Sequence, residues 1–262
     1  MKLLALASLV ATPLLSVPTC RVDDVASDSE PITHELWDAQ LAEYVDAEGW
    51  VDYDGWLADT ARLGAYLELL GGHHPNEAHW TDDERLAYWI NAYNAYTVKL
   101  LLDHWPQASI KDIQGGIGFV NSVWDREFIT IEGRSYSLND LEHGIIRPKF
   151  EDPRIHAAVN CASVSCPVLR AEAYTAERLD EQLDDQVRRW FASERNDLSD
   201  PAAPKLSSIF RWYSGDFAWN GMTKAGFVEE YSGVDLPEDV DFAYLDYDWG
   251  INSQAANAAP GS

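Results

Sequence analysis

The residues best suited to chemistry lie close together in one stretch, 154–167. This stretch contains two of the three cysteines, Cys161 and Cys166, and one of the seven histidines, His156. A cysteine becomes a nucleophile when its pKa is lowered, usually by a nearby imidazole or a helix N-terminus. The pattern over 155–161 predicts a short strand, on which His156 and Cys161 point to opposite faces. We therefore expect His156 to meet the loop that carries Cys166, or another element, and not Cys161.

A working site needs further groups from other elements. His143, on a short helix predicted to start at Ser137, is free to pack against either cysteine. Glu142 precedes it, but neighbours on a helix point about 100° apart, so Glu142 is a poor group to orient His143. Asn91 and Asn94 share one face of a long helix. They either supply an orienting amide or an oxyanion donor, or they brace neighbouring backbone.

Hydrophobic periodicity predicts the elements that position these residues. Thr81 and Glu84 form a capping-box pattern that begins a long helix, and its nearly continuous apolar surface predicts that this helix is buried. Residues 127–131 and 134–136 predict a β-hairpin, and the alternation over 242–249 predicts a final strand. The resulting fold class is α+β, a mainly helical single domain packed on a small, mostly antiparallel sheet.

The charge balance excludes one class of partner. The 262 residues carry 44 acidic and 19 basic side chains, for a net charge of −25 at pH 7. Such a protein repels phosphate backbones and anionic membranes, so we expect no nucleic-acid partner. The acidic residues are spread along the chain, which is typical of a halophile-like surface that salt screens. A hydrophobic content of 46% with 11 tryptophans indicates a folded chain with a substantial core.

The N-terminal region predicts export. Lys2 precedes an apolar run that is too short, and too interrupted by Pro13, for a membrane span, so residues 1–20 are expected to be a signal peptide. Cys20 stands where a lipidated cysteine falls, and a lipid anchor is as well supported as ordinary cleavage. We expect a periplasmic or cell-envelope protein whose only link to a membrane is that anchor. The predicted organisation then continues with a linker at 21–31, a domain at 32–252 and a disordered tail at 253–262.

Three interpretations of the cysteines stay open. In a thiol hydrolase or acyl transferase, Cys161 or Cys166 is the nucleophile and His143 or His156 is the base. In a non-catalytic binding module, a Cys161–Cys166 disulfide pins the loop, as an oxidising compartment favours. A metal site from these four side chains is disfavoured by the cysteine spacing. No cofactor is expected, since the glycine-rich turn at 115–119 lacks the Lys-Ser/Thr of a phosphate loop.

Four motifs occur in order along the chain: Tyr88–Ala95, Leu141–Pro148, Ile155–Pro167 and Leu245–Trp249. Together they resemble the DUF547 family, which has no assigned function, over roughly residues 36–252. The resemblance implies an exported or membrane-associated bacterial protein related to thiol hydrolases of the papain and transglutaminase type. It also implies small thiol peptides such as glutathione as ligands. Papain-type enzymes place Cys before His, whereas both histidines here precede the cysteines, so the resemblance implies a permuted topology.

The residues and the resemblance together favour a cysteine-dependent hydrolase or acyl transferase that acts on a small peptide or a thiol peptide. The test of this interpretation is structural. The segment with Glu142 and His143 and the helix with Asn91 and Asn94 must converge at the end of the predicted strand. If they do not, the loop between the cysteines is only a brace.

Overall fold

The computed structural model describes residues 26–113 and 122–258 of the chain. Its strands are β1 (Ile129–Ile131), β2 (Arg134–Tyr136), β3 (Lys205–Leu206) and β4 (Ala243–Tyr244). Its helices are α1 (Glu35–Tyr44), α2 (Tyr53–Leu57), α3 (Thr60–Gly71), α4 (Asp82–Leu102), α5 (Arg147–Phe150), α6 (Ile155–Ala158), α7 (Leu179–Ala192), α8 (Ile209–Trp212), α9 (Lys224–Ser232) and α10 (Gln254–Asn257). A π-helix spans Asp140–Ile146, and 3₁₀ turns span Ile110–Asp112, Val123–Asp125, Ala176–Arg178 and Asp216–Gly221. The fold class is α+β and mainly helical, as predicted.

Helix α4 is the centre of the larger core. It begins with the predicted capping box, in which the Thr81 side chain accepts from the Glu84 amide and the Glu84 carboxylate accepts from the Thr81 amide. Every residue over 86–102 except Lys99 is buried. Because apolar side chains project from the helix on all sides, α1, α3 and the β1–β2 hairpin share one continuous core with it. The prediction of a central buried helix is confirmed.

A second, smaller core forms around α7, α8 and α9, where Phe210 stacks on Trp190 and Phe217 with ring centroids 4.6 and 4.3 Å apart. Helix α6 lies between the two cores. Its Ile155 and Ala158 pack into the α4 core, whereas Ala157 packs into the second one. The residues that follow α6 therefore emerge where the two cores meet.

The β-structure is small. Strands β1 and β2 form the predicted antiparallel hairpin, with Ile129 opposite Tyr136. The turn residues Glu132 and Gly133 both have positive φ, 47° and 76°, as a type I′ turn requires. The final strand predicted over 242–249 is mostly wrong, since only β4 pairs, in parallel with β3. The described residues thus contain one antiparallel and one parallel two-stranded sheet.

The strand predicted over 155–161 is also wrong, because this segment begins with the single helical turn α6. The Asp152 side chain accepts from the Arg154 amide and Pro153 follows it, which together favour the start of a helix. At the other end, the Asn94 side chain donates to the Ala158 carbonyl at 2.9 Å. The alternation argument that separated His156 from Cys161 therefore does not apply.

The predicted tail is partly ordered. Ser253 is buried and its side chain caps α10 by accepting from the Ala256 amide, so the tail predicted over 253–262 begins with ordered residues. The predicted signal peptide at 1–20 and the glycine-rich turn at 115–119 lie outside the described residues. Within the described residues, no helix combines the length and the apolar character that crossing a membrane requires.

Candidate functional site

A cavity of about 250 Å³ opens where the two cores meet. Five of the seven side chains singled out from the sequence line it, namely Glu142, His143, His156, Cys161 and Cys166. The π-helix, α6 and the loop after α6 thus bring three chain segments to one place. Its other lining residues are Tyr93, Trp124, Asn139, Val159, Ile209, Trp212, Tyr213, Tyr247 and Trp249.

Cys161 is the cysteine that is available to a ligand, since it is only partly buried. Its Sγ lies 3.4 Å from Ser163 Oγ and 3.3 Å from Tyr247 Oη. The pKa of Cys161 is lowered from 9.0 to about 7, first by a hydrogen bond from the Cys166 thiol and further by those from Ser163 and Tyr247, against the opposing effect of burial. These donors stabilise a thiolate, which is the nucleophilic form of cysteine.

Cys166 has the opposite character. It is 3% exposed, and its Sγ accepts a hydrogen bond from the Cys161 amide at 3.1 Å. Burial raises the pKa of Cys166 well above its ordinary value, and contact with the Cys161 sulfur adds to this effect. The disulfide expected in the binding-module interpretation is not present, because both cysteines are free. Cys161, not Cys166, is therefore the better nucleophile.

The loop that carries the two cysteines is held by backbone hydrogen bonds to the segment 248–252. The Val164 amide donates to Gly250 at 2.8 Å, and the Ser165 amide donates to Asp248 at 3.2 Å. Ala162 has a φ of +62°, a conformation that non-glycine residues adopt only when the surroundings hold them there. A left-handed residue directly after Cys161 lets the chain turn back so that Cys166 contacts it.

The opposite side of the cavity is built on His156, which is 2% exposed. Its Nε2 lies 2.8 Å from Oδ2 of Asp216, and its ring stacks on Tyr213 with centroids 4.3 Å apart. Because an ionised carboxylate can only accept, Nε2 carries the proton and Nδ1 is left as a base. Packing and one hydrogen bond thus define both the orientation and the tautomer of this ring.

Asp216 is held in turn by Arg147. The guanidinium donates to both carboxylate oxygens, at 2.6 and 2.8 Å, and lies over the Tyr213 ring. The pKa of Asp216 is lowered from 3.8 to about 2 by hydrogen bonds from His156 and Arg147, against the opposing effect of burial. Asp216 therefore stays ionised beside His156, as a group that orients an imidazole must.

The π-helix places Glu142 and His143 on the same cavity. Its wider turn is visible in the Arg147 amide, which donates to the Glu142 carbonyl five residues earlier. His143 Nδ1 lies 3.1 Å from Arg147 Nη1 and 3.8 Å from Glu142 Oε1. Glu142 is buried, and the pKa of the Tyr213 hydroxyl is raised by burial and then by the Glu142 charge. At 3.8 Å the Glu142 carboxylate oxygen is beyond hydrogen-bond distance of His143 Nδ1.

The two asparagines of α4 do not line the cavity. Asn91 donates to the Tyr174 carbonyl at 2.7 Å and accepts from the Tyr174 amide at 3.0 Å. Asn94 forms the same kind of pair, donating to Ala158 and accepting from the Asn160 amide at 2.8 Å. Both are backbone braces, which was the alternative that the sequence left open. Asn94 still matters for the site, because it positions the chain just before Cys161.

Two residues of the site were not found from the sequence. Asp216 lies 60 positions after His156, in a turn without a recognisable motif, and Tyr247 lies in a segment interpreted as a strand. The signal that could have found Tyr247 is the motif Leu245–Trp249, which follows the others in order. Asp216 follows a glycine, and nothing else in the sequence distinguishes it from the other acidic residues.

Hydrogen bonding does not join the two sides of the cavity. Across the described ranges, no histidine ring nitrogen hydrogen-bonds a cysteine sulfur, so His156 and Cys161 line the same cavity without a hydrogen bond between them. The described residues also hold no group of three or more His, Cys, Asp or Glu side chains that could bind a metal ion. A catalytic hydrogen bond that forms only with substrate bound is common, so the separation leaves acyl chemistry open.

Aromatic side chains form the rim of the cavity. Trp212 stacks on Trp249 with centroids 5.7 Å apart, and Tyr247 lies 4.5 Å from Trp249. Trp212 is 44% exposed, which is unusual for so large an apolar side chain. A rim of this kind offers flat apolar contact to a ligand that reaches toward Cys161.

Comparison with known proteins identifies part of the chain. Residues 78–191 match the model of DUF547, a family described as proteins of unknown function. No curated protein and no solved structure matches the chain. The matched segment contains Glu142, His143, His156 and both cysteines of the cavity, and it ends before Asp216 and Tyr247. Over residues 78–191 the chain is thus similar to the DUF547 family.

Proposed function

We propose that this protein is a cysteine-dependent hydrolase or acyl transferase, with Cys161 as nucleophile and His156 as general base. The observation that carries the proposal is that a cysteine of lowered pKa shares a cavity with an imidazole oriented by a buried carboxylate. A nucleophile, a base and a group that orients the base are the three parts of thiol acyl transfer. Asp216 takes the orienting role for which the sequence offered Asn91 or Asn94.

The proposed reaction proceeds in two steps. His156 Nδ1 takes the proton of the Cys161 thiol, and the sulfur attacks the carbonyl carbon of the acyl donor. The bond to the leaving group breaks, and the proton on His156 passes to that group. In the second step water or an acceptor attacks the thioester, gives its proton to His156, and frees the Cys161 sulfur. Tyr247, whose hydroxyl lies 3.3 Å from Cys161 Sγ, is placed to donate to the developing oxyanion.

The proposed substrate is a small acyl donor, such as a short peptide or a thiol peptide. A volume of about 250 Å³ lies just below the usual range of ligand sites, so it fits one or two residues of a peptide and not a folded chain. The aromatic rim of Trp212, Tyr247 and Trp249 favours a donor with a flat or apolar side group. The net charge of −25 disfavours strongly anionic substrates.

The test is acylation by an activated ester, p-nitrophenyl acetate, in a Cys20→Ser background that leaves only the two cavity cysteines. We expect one acyl group on Cys161, found by mass spectrometry of the digested protein, and none after Cys161→Ser. Loss of the base in His156→Gln should slow acylation about 100-fold. The matched control is His143→Gln, which removes an imidazole of the same cavity that Asp216 does not hold. Equal rates for the two histidine variants, or no adduct on Cys161, would refute the proposal.

A second candidate function is a binding module without catalysis. It is favoured by the missing hydrogen bond between histidine and cysteine across the described residues, and by the exposed aromatic rim. Calorimetric titration with short peptides separates the two functions. Binding that survives Cys161→Ser, together with no acylation of the parent protein, supports the module.

We also propose that the protein acts outside the cytoplasm, in the periplasm or cell envelope. The support is the segment at 1–20, in which Lys2 precedes an apolar run and Cys20 is the last residue. Mass spectrometry of the mature N-terminus tests this, and a chain that starts at Met1 in the cell would contradict it.

A further inference from the structure

The cavity contains a second thiol that acyl transfer does not use. Cys166 lies directly against Cys161, since its Sγ accepts a hydrogen bond from the Cys161 amide at 3.1 Å. A buried thiol with only a structural role can be packed anywhere in a core. Here it lies against Cys161, the more exposed of the two cysteines that line the cavity, so its position needs a chemical explanation.

The two thiols differ in access. Both sulfurs line the cavity, but Cys161 is only partly buried whereas Cys166 is 3% exposed. A small molecule in the cavity therefore meets the Cys161 sulfur first. Once that sulfur carries a group, Cys166 is the next nucleophile within reach. This order of an attacking thiol and a resolving thiol is the arrangement that disulfide exchange requires.

The loop between the cysteines keeps both sulfurs in place. The Cys166 amide donates to the Ser163 carbonyl at 3.0 Å, which closes a tight turn between them. The Asp248 amide donates to Ser165 Oγ at 2.8 Å, so the far side of the loop is fixed as well. A disulfide needs the two sulfurs about 2.05 Å apart. Because Cys166 Sγ already contacts the Cys161 amide, side-chain rotation and a small loop shift would bring the two sulfurs to that separation.

We propose that Cys161 and Cys166 form a thiol–disulfide exchange pair that reduces small uncharged disulfides entering the cavity. The Cys161 thiolate attacks one sulfur of the disulfide RSSR, forms a bond to it, and releases RS⁻, which takes a proton from water. The Cys166 thiol then loses its proton to water and attacks Cys161 Sγ. The bond between Cys161 and SR breaks, and a second thiol leaves. The small disulfide gains two electrons, and the protein keeps a Cys161–Cys166 disulfide that an external thiol must reduce.

The exchange does not rest on the proposed acyl transfer, although it uses the same sulfur. If both activities exist, the Cys161–Cys166 disulfide switches acyl transfer off, because the nucleophile is then bonded. If acyl transfer fails its test, the exchange is unaffected, since no acyl donor and no general base take part in it. The experiment below contains neither.

The test uses the reduced Cys20→Ser protein and bis(2-hydroxyethyl) disulfide at a pH of about 7, where the Cys161 thiolate is well populated. We expect the protein to lose two hydrogens in mass and to release two equivalents of 2-mercaptoethanol. Peptide mapping without reductant should find Cys161 joined to Cys166. That mapping needs no cysteine substitution in the cavity, so it does not depend on whether a variant folds.

Two variants show which thiol attacks the small disulfide and which thiol resolves the mixed disulfide. Cys166→Ser should stop at a stable mixed disulfide on Cys161, because the resolving thiol is absent. Cys161→Ser should not react, because the remaining thiol is buried. A mixed disulfide that persists in the parent protein, or equal reactivity of the two variants, would overturn the proposal. So would the absence of a Cys161–Cys166 bond in the map.

Discussion

The two sides of the cavity are held by different forces. On the thiol side, formed by Cys161, Cys166 and Tyr247, neutral hydrogen bonds and backbone pairing to 248–252 fix the geometry. On the imidazole side, formed by His143 and His156, a buried carboxylate and a guanidinium join segments far apart in sequence. The imidazole side therefore depends on charge, whereas the thiol side depends on hydrogen bonds. Acid, or the removal of a charged side chain, should weaken the imidazole side more than the thiol side.

The largest effect should come from Asp216→Ala, which breaks the imidazole side. Arg147 then keeps a partly buried charge without its bidentate partner, and His156 loses its orienting acceptor. Removing one member of a buried ion pair typically costs 3–5 kcal/mol, and because the Arg147 side chain is 26% exposed we expect the lower end, about 3 kcal/mol of unfolding free energy. Urea denaturation followed by tryptophan fluorescence measures it.

The matched control for that variant is Glu43→Gln. It breaks the exposed ion pair with Arg62, in which N and O lie 2.6 Å apart. Exposed pairs contribute about 0–1 kcal/mol, so the control should lose less than about 1 kcal/mol. Equal losses for Asp216→Ala and Glu43→Gln would mean that the imidazole side is not held by a buried charge.

A smaller effect is expected where hydrogen bonds alone hold the chain. Asn94→Ala leaves the Ala158 carbonyl and the Asn160 amide without their side-chain partner, in a buried position. Each unsatisfied buried group costs about 1–3 kcal/mol, and with local relaxation we expect about 2 kcal/mol in the same urea experiment. Gln107→Ala is the control, since it removes one hydrogen bond to the His104 carbonyl near the surface. A loss below about 1 kcal/mol for Asn94→Ala would contradict the bracing role.

The sequence was sufficient for elements that local patterns define. The long helix α4 has a capping box and an apolar surface over five turns, and the β1–β2 hairpin has its turn residues between short apolar strands. The segment 155–161 was misassigned because a short apolar run is compatible with either a buried strand or a buried helical turn. Its state depends on Asn94, which reaches it from 64 positions away. No local pattern carries that information.

Some residues of the candidate site could likewise be predicted from the sequence, and others could not. Cys161, Cys166, His143 and His156 were found because few other residue types do such chemistry, and all four line the cavity. Asp216 was missed because the chain has 44 acidic residues and only the fold selects one. Asn91 and Asn94 were candidates because buried amides need partners, but the sequence could not say that backbone groups would satisfy them. The chemistry of a residue type therefore predicts candidate site residues, and long-range packing decides which of them line the cavity.

Acid should weaken the imidazole side selectively. The folded pKa of Asp216 is depressed from 3.8 to about 2, so its contribution is present above about pH 4 and is lost as the pH falls toward 2. A shift of this size corresponds to about 2 kcal/mol. We expect the stability difference between the parent protein and Asp216→Asn to shrink by that amount between pH 5 and pH 2, measured by urea denaturation. A constant difference would show that the Asp216 charge does not stabilise the fold.

The smallest effect should be seen on the thiol side, where the charge at issue is the one that Cys161 gains when its thiol ionises. Alkylation of Cys161 by iodoacetamide should rise with pH around an inflection near 7, because the hydrogen bonds from Cys166, Ser163 and Tyr247 favour the thiolate. Tyr247→Phe removes one of three such donors, so the inflection should move up by less than about one pH unit, or about 1 kcal/mol. Asp216→Asn is the control, since its carboxylate contacts His156 and Arg147 but not the sulfur. If Asp216→Asn moves the inflection as far as Tyr247→Phe does, the charge of Asp216 acts on the Cys161 thiol as well. The cavity would then not divide into a side held by charge and a side held by hydrogen bonds.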